Sequence, residues 1–191
     1  EDGHITVSRV NAHTQYLSRM MLVASMNPCP CGYYGSQTKH CRCGSYEIKR
    51  YLDRISGPLL DRIDLQVEVD VVPVSDIVKE NSQEDSATVR QRVQAARDRQ
   101  ARRFEGSGIR CNAQMNGKNL EEQAALSKEA ATLLQQAVQR YGLSMRAYTR
   151  LIKVARTIAD LAGEDAVSLP AMAEAIQFRM IDGKYWGESH A

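Results

Sequence analysis

The sequence predicts an α/β portion followed by an all-α portion, mostly helical overall, and three observations carry that expectation. Residues 1–72 contain three short runs with strand patterning, HITVS, MMLVA and LQVEVDVV. Between the second and third lies a loop with four cysteines in two CxC pairs. From Ser127 onward, three apolar-periodic segments each follow a serine, the pattern of N-capped helices.

Composition narrows the class further. At 191 residues the chain can bury a core, as one large domain or two small ones. Its 25 Lys and Arg nearly cancel 23 Asp and Glu, so no global field demands a nucleic-acid partner. Apolar residues make up 43%, ordinary for a soluble protein. No apolar run approaches the ~20 residues of a membrane helix, and no signal-peptide pattern opens the chain, so a cytoplasmic protein is expected. The chain opens on Glu1-Asp2-Gly3 without an initiator methionine and reads as a piece of a longer protein.

Taken in order, Gly3 to Ser8 alternates Ile5 and Val7 against His4, Thr6 and Ser8 and predicts a strand. The continuous apolar run MMLVA, within Ser18 to Ser25, predicts a strand buried on both faces of a parallel sheet. Such strands deliver functional residues at their C-terminal ends, and Asn27 stands there, with Pro28 stopping the strand. The plain alternative is a turn Asn before Pro.

The loop that follows carries Cys29, Cys31, Cys41 and Cys43. Thiolate is a soft ligand suited to zinc, and four close a tetrahedral site with no open position. The expected metal is therefore structural zinc. Clustering within fifteen residues suits a metal site better than a disulfide framework, leaving Cys111 as a plain thiol. His40, beside Cys41, is an alternative ligand, and four unligated thiols are the bland reading.

Tyr46 to Ile55 predicts a helix with Ile48, Tyr51, Leu52 and Ile55 on one face. Pro58 then opens a short helical turn, PLLDRID, with Leu59, Leu60 and Ile63 inward and Asp61, Arg62 and Asp64 outward. An arginine so placed can bind a phosphate through two donors at once. Otherwise Arg62 simply pairs with Asp61 or Asp64. Leu65 to Val72 alternates and predicts a further strand of the same sheet, and Pro73 to Ala87 predicts a loop and domain boundary.

Thr88 to Phe104 predicts a helix with Val89, Val93 and Ala96 on one face. Most of Arg90, Arg92, Arg97, Arg99, Arg102 and Arg103 then lie on the other, as a solvated face or a nucleic-acid or subunit contact. Glu105 to Leu120 predicts a long loop. Its Gly117-Lys118 pair is not a phosphate loop, because Asn112 holds the required glycine position and Asn119 the Ser/Thr position. Ser127, Ser144 and Ser168 cap the last helices, and the middle one buries Leu151, Val154 or Ala155, Ile158 and Leu161 or Ala162. Arg146, in its first turn, is unfavourable to the helix dipole and needs another justification. Arg150, Lys153 and Arg156 are expected in solvent.

The strings MNPCPCGYYG, a second CxC, and RISGPLLDRIDL together resemble the ComM/YifB family of magnesium-chelatase-like AAA+ ATPases, from Glu1 to about Gly183. The resemblance implies the C-terminal part of such a protein. Residues 1–72 would end its α/β core, 73–87 would link, and 88–191 would form a helical lid. Asn27 would be sensor 1, Arg62 the arginine finger with Arg54 as second choice, and Arg146 sensor 2, reaching its own or a neighbour's nucleotide. Walker A and Walker B would lie upstream, with ATP and Mg²⁺ bound by the full-length protein. A homo-oligomeric ring, a hexamer by family habit, working on DNA in branch migration is also implied. Two rivals stand beside it: a true magnesium-chelatase ATPase subunit, which as far as the family pattern goes lacks the four-cysteine loop, and a zinc-stabilised interaction module without motor activity.

Overall fold

The computed structural model describes residues 3–10, 12–18, 20–69, 72, 84–181 and 185–186. It divides into two compact units, residues 1–48 and 49–191.

In the first unit, β1 (His4–Arg9) and β2 (Ala12–Leu17) form an antiparallel hairpin with His4 opposite Leu17 and Arg9 opposite Ala12. Ser18 N–H donates to the Gly3 carbonyl at 2.9 Å, extending the pairing by one step. The predicted first strand is present, but its partner is the next segment and both strands are exposed. The buried strand expected at MMLVA is not formed. Residues 20–26 join no ladder among the described residues and are exposed, Met21 at 89%. An apolar run becomes a buried strand only where neighbours supply the ladder and cover both faces. The same reason corrects Leu65 to Val72. Residues 65–69 form no strand, Gln66 N–H instead donating to the Phe178 carbonyl at 3.0 Å, and residues 70–71 lie outside the described residues.

Helix α1 (Ser45–Leu52) forms two residues shy of expectation, with Ile48 and Leu52 buried. Its start is fixed by Glu47, whose Oε2 accepts from the Gly44 N–H at 3.0 Å, half of a capping box. Helix α2 (Gly57–Leu60) is a single turn begun by Pro58. Leu60 is buried, but Leu59 is exposed rather than inward.

Helix α3 (Ser86–Arg103) starts two residues before the expected Thr88, because the Asp85 side chain accepts from Thr88 N–H at 2.8 Å. The expected 73–87 linker thus ends in this cap and helix, and residues 73–83 lie outside the described residues. The inner face of α3 also differs. Ala96 and Gln100 are buried, whereas Val89 and Val93 are exposed. The loop expected over 105–120 holds a 3₁₀ turn (Asn112–Gln114) and the start of α4 (Gly117–Ala124), with Met115 fully buried between them.

Helices α5 (Lys128–Tyr141), α6 (Met145–Ala162) and α7 (Leu169–Gln177) form as capped. Ser127, Ser144 and Ser168 accept from the N–H groups of Ala130, Ala147 and Ala171. Gly142 and Gly163 end α5 and α6 at positive φ, where a side chain would be strained. The core of this unit joins Leu134, Leu151, Ile152, Met172 and Ile176 with alanines of all three helices. On α6, Ala147, Leu151, Ala155 and Ala159 recur every four residues, and small side chains there let neighbouring helices approach closely. The buried stripe is therefore rotated from the expected one, leaving Leu161 and Ala162 exposed. Ile158 and Val154 are partly buried.

Candidate functional site

The cysteine loop is built to bring four sulfurs together. Gly32 N–H donates back to the Cys29 carbonyl at 3.0 Å, closing a turn that needs the positive φ of Gly32, +81°. Tyr34 N–H then donates to the Cys29 sulfur at 3.3 Å. Sγ–Sγ separations are 3.4 Å for Cys29–Cys31, 3.7 Å for Cys29–Cys41 and 3.6 Å for Cys31–Cys41. All four sulfurs, Cys43 included, lie within 4.8 Å of one another, and His40 is not among them. Tetrahedral bonds of ~2.3 Å to a central zinc would set sulfurs about 3.8 Å apart, so the cluster fits such an ion.

The thiol acidities make the same point. Backbone N–H groups of Arg42 and Tyr33 draw Cys31 down to about 6. Burial pushes Cys43 up to about 12, and the sulfurs of Cys31 and Cys29 add to it. For Cys41 the Cys43 N–H favours the thiolate, but burial and the sulfurs of Cys31 and Cys29 outweigh it and its value rises. Charge on one sulfur in so tight a group favours the protonated thiol at Cys41 and Cys43. A dication removes that conflict and turns all four into ligands. The four close cysteines can therefore hold a metal such as zinc.

Asn27 precedes this loop as predicted, exposed, and its side-chain amide lies over Gly32. A Cβ added at Gly32 would stand 3.7 Å from Asn27 Cγ. The amide thus rests on the turn that presents Cys29 and Cys31.

In the second unit, the turn bearing Arg62 is tied down at every residue around it. Asp61 Oδ1 accepts from Arg179 Nη2 at 3.2 Å, and Asp61 Oδ2 accepts from Ser144 Oγ at 2.9 Å. Asp64 pairs with Arg150 of α6. The two carboxylates that sequence offered to Arg62 are therefore engaged by other partners. Arg62 is exposed, its Nη1 donating to the Pro58 carbonyl at 2.7 Å within its own turn. Arg54 is exposed too, its guanidinium 6.0 Å from the Tyr51 ring centre. Arg146 is exposed in the first turn of α6, two residues after the Ser144 that binds Asp61. The structure thus brings the Arg62 turn and the Arg146 turn side by side in one unit. Asn27 and the four cysteines belong to the other.

Several arginines expected in solvent are structural. Arg156 is 0% exposed, donating to the carbonyls of Asp165 (2.8 Å) and Glu164 (2.6 Å) and to Asp160 Oδ1 (3.1 Å). Arg103 of α3 pairs with both oxygens of Asp160, and Asn112 Nδ2 adds a bond of 2.8 Å to Oδ2. Burial alone pushes the Asp160 carboxyl up, but hydrogen bonds from Arg103 and Asn112 and the Arg156 charge outweigh it, so it sits below the ordinary carboxylate range. Arg99 binds Asp165 and the Gly163 carbonyl at the end of α6. Arg150 pairs as above, and Lys153 Nζ donates to the Ala113 carbonyl at 3.0 Å. Of the arginine helix, Arg90 and Arg97 do lie on an exposed face. The burial of Arg156 and Asp160 was recoverable from sequence: the i, i+4 pair falls on the Ala155–Ala159 side of α6. Arg179 carries no local signal, since its partners lie about 118 residues away.

Comparison with known proteins places these features in a family. The family model described as magnesium chelatase, subunit ChlI, matches residues 1–77, and that described as magnesium chelatase, subunit ChlI C-terminal, matches residues 83–179. The chain is 43% identical over 180 residues to the competence protein ComM of Haemophilus influenzae, covering 94% of this chain and 34% of that protein. It is 42% identical over 183 residues to the uncharacterized protein YifB of Salmonella typhimurium, and equally to YifB of Escherichia coli, covering 95% of this chain and 35% of each. It thus spans about a third of the length of these relatives. No described helix is long and apolar enough to cross a membrane. Matched along nearly its whole length by the two models together, the chain belongs to the magnesium-chelatase family, and within it is similar to ComM and YifB.

Proposed function

We propose that the chain is the sensing and trans-acting part of an ATP-driven motor that works on DNA, resembling the branch-migration helicase of natural transformation. The observation that carries this is Arg62: an exposed guanidinium on a fixed turn, bonded to the Pro58 carbonyl of that turn and not to the nearby carboxylates, which are bound elsewhere. That arrangement suits a group meant for a phosphate outside its own fold. In this reading Arg62 is the arginine finger, with Arg54 as second candidate, Asn27 is sensor 1 and Arg146 is sensor 2. The phosphate loop and magnesium ligands belong to the rest of the protein, and the working form is a homo-oligomeric ring, a hexamer, in the cytoplasm. A finger supplied by one subunit to the next makes hydrolysis depend on assembly.

Zinc in the cysteine loop is structural here. Cys29, Cys31, Cys41 and Cys43 would hold it, leaving no coordination position for water or substrate. Protein purified without chelator is expected to carry one zinc per chain by elemental analysis. Replacing Cys41 with serine should lower that content while the circular dichroism of the helices persists. Full-length protein lacking stoichiometric zinc would remove the metal from the reading. The four-cysteine loop also favours the motor over a chelatase subunit, because the chelatase pattern lacks that loop, and four thiolates suit a soft structural ion rather than magnesium.

The nucleotide reading is tested at Arg146. In the full-length protein, Arg146→Ala should weaken ATP binding more than ADP binding, since a lost charge-assisted hydrogen bond costs about 1.5–3 kcal/mol. That is roughly ten- to a hundredfold in affinity. Equal loss for both nucleotides, or a large fall in melting temperature, would make Arg146 a structural residue.

A further inference from the structure

A one-turn helix does not hold its own shape, because its last carbonyls have no partners within it. Here Arg179, just past the end of α7 and 5% exposed, supplies them. Its Nη1 donates to the carbonyls of Leu60 (3.2 Å) and Ile63 (2.6 Å), and its Nη2 to Asp61 Oδ1 (3.2 Å). Its own N–H donates to the Ile176 carbonyl at 2.9 Å, fixing it to the helix end. Asp61 passes the constraint on. Its second oxygen takes the Ser144 hydroxyl, whose oxygen also accepts from Ala147 N–H at 3.1 Å as the cap of α6.

Arg62 therefore stands between two residues that Arg179 holds, and Arg146 stands two residues beyond the capping serine that Asp61 holds. We infer that Arg179 is a positioning residue: it fixes the turn from which Arg62 projects and, through Asp61 and Ser144, sets that turn against the first turn of α6. The inference rests on the proposed role of Arg62 in phosphate chemistry. A guanidinium binding two backbone carbonyls and a carboxylate is suited to this, because its planar fork fixes direction as well as distance. Lysine, with one compact charge, would not.

The test is ATP turnover by the full-length protein in four forms: parent, Arg62→Ala, Arg179→Ala and the double variant. Arg179→Ala is expected to lower kcat by about tenfold or more with KM for ATP within about threefold, the mark of a lost transition-state interaction. If Arg179 acts through Arg62, the double variant should be no slower than Arg62→Ala alone, within about threefold. Losses that multiply, or a kcat for Arg179→Ala within about twofold of the parent, would overturn the inference. Should Arg179→Ala fail to fold, Asp61→Asn serves in its place, since it keeps the shape and both carbonyl bonds. It is expected to lower kcat about threefold or more, again without further loss beside Arg62→Ala, and an unchanged kcat overturns the inference equally. Failure of the underlying reading looks different: Arg62→Ala itself would then leave turnover intact, and the positioning role would fall with it.

Discussion

Arg62→Ala in the full-length protein is expected to lower ATP turnover by about 10³–10⁵-fold while leaving nucleotide binding nearly unchanged. The magnitude follows from charge. Phosphoryl transfer spreads negative charge over the transferred group, and a guanidinium brought to it in a water-poor interface stabilises the transition state more than the ground state. The structure supplies the preconditions on this chain's side. Arg62 is exposed, its turn is held by Arg179 and Arg150, and the carboxylates of Asp61 and Asp64 are occupied by those partners and Ser144. The Arg62 guanidinium rests on the neutral Pro58 carbonyl rather than on a carboxylate, so no ion pair has to break before it meets a phosphate. Mixing gives the decisive readout. Rings containing Arg62→Ala subunits together with subunits defective only in the Walker B carboxylate should regain turnover, because each defect then resides at a different edge. Absence of rescue would place Arg62 at its own subunit's nucleotide or remove it from the chemistry.

The second large effect concerns stability. Asp160→Ala should destabilise the helical unit by about 3–5 kcal/mol, since it leaves buried Arg156 and the inward-turned Arg103 without their carboxylate. Against a total stability of roughly 5–15 kcal/mol, such a loss is near the limit of folding. Denaturant unfolding followed by circular dichroism measures it, and a midpoint shift equivalent to under about 1 kcal/mol would show that water or rearrangement satisfies the guanidiniums. The pH dependence has a definite sign. The folded carboxyl lies below its unfolded value, so its contribution is complete above an unfolded pKa of about 4 and is lost as pH falls through the lowered folded value. Asp160→Asn should therefore flatten the acid limb of the stability curve.

These two sites show where sequence suffices and where it does not. The serine caps at Ser127, Ser144 and Ser168 were legible because a cap is a local event: one side-chain oxygen and an N–H three residues on. The cysteine cluster was legible because four thiols within fifteen residues form the donor set of a closed zinc site, and a shared metal draws the two pairs together. The strand expected at MMLVA failed for the opposite reason, because a ladder depends on segments that the run itself does not specify. Arg156 shows a subtler failure. Charge predicts solvent, yet Asp160 one turn away and the carbonyls of Glu164 and Asp165, just beyond the end of α6, hold it inside. The Arg62 turn combined both cases: Pro58 announced the turn, while the residues that hold it came from a helix end far along the chain.

The exposed stretch from Met20 to Met26 has a practical side. Seven residues without a charge, proline or glycine, exposed and in no ladder among the described residues, have the composition of segments that recruit copies of themselves. The polypeptide offers unladdered backbone and exposed apolar side chains together, the combination from which intermolecular sheets nucleate. The concentration at which it is kept would then govern its lifetime in solution more than the melting point of its helices, and a single lysine at Val23 would act as a gatekeeper against that route.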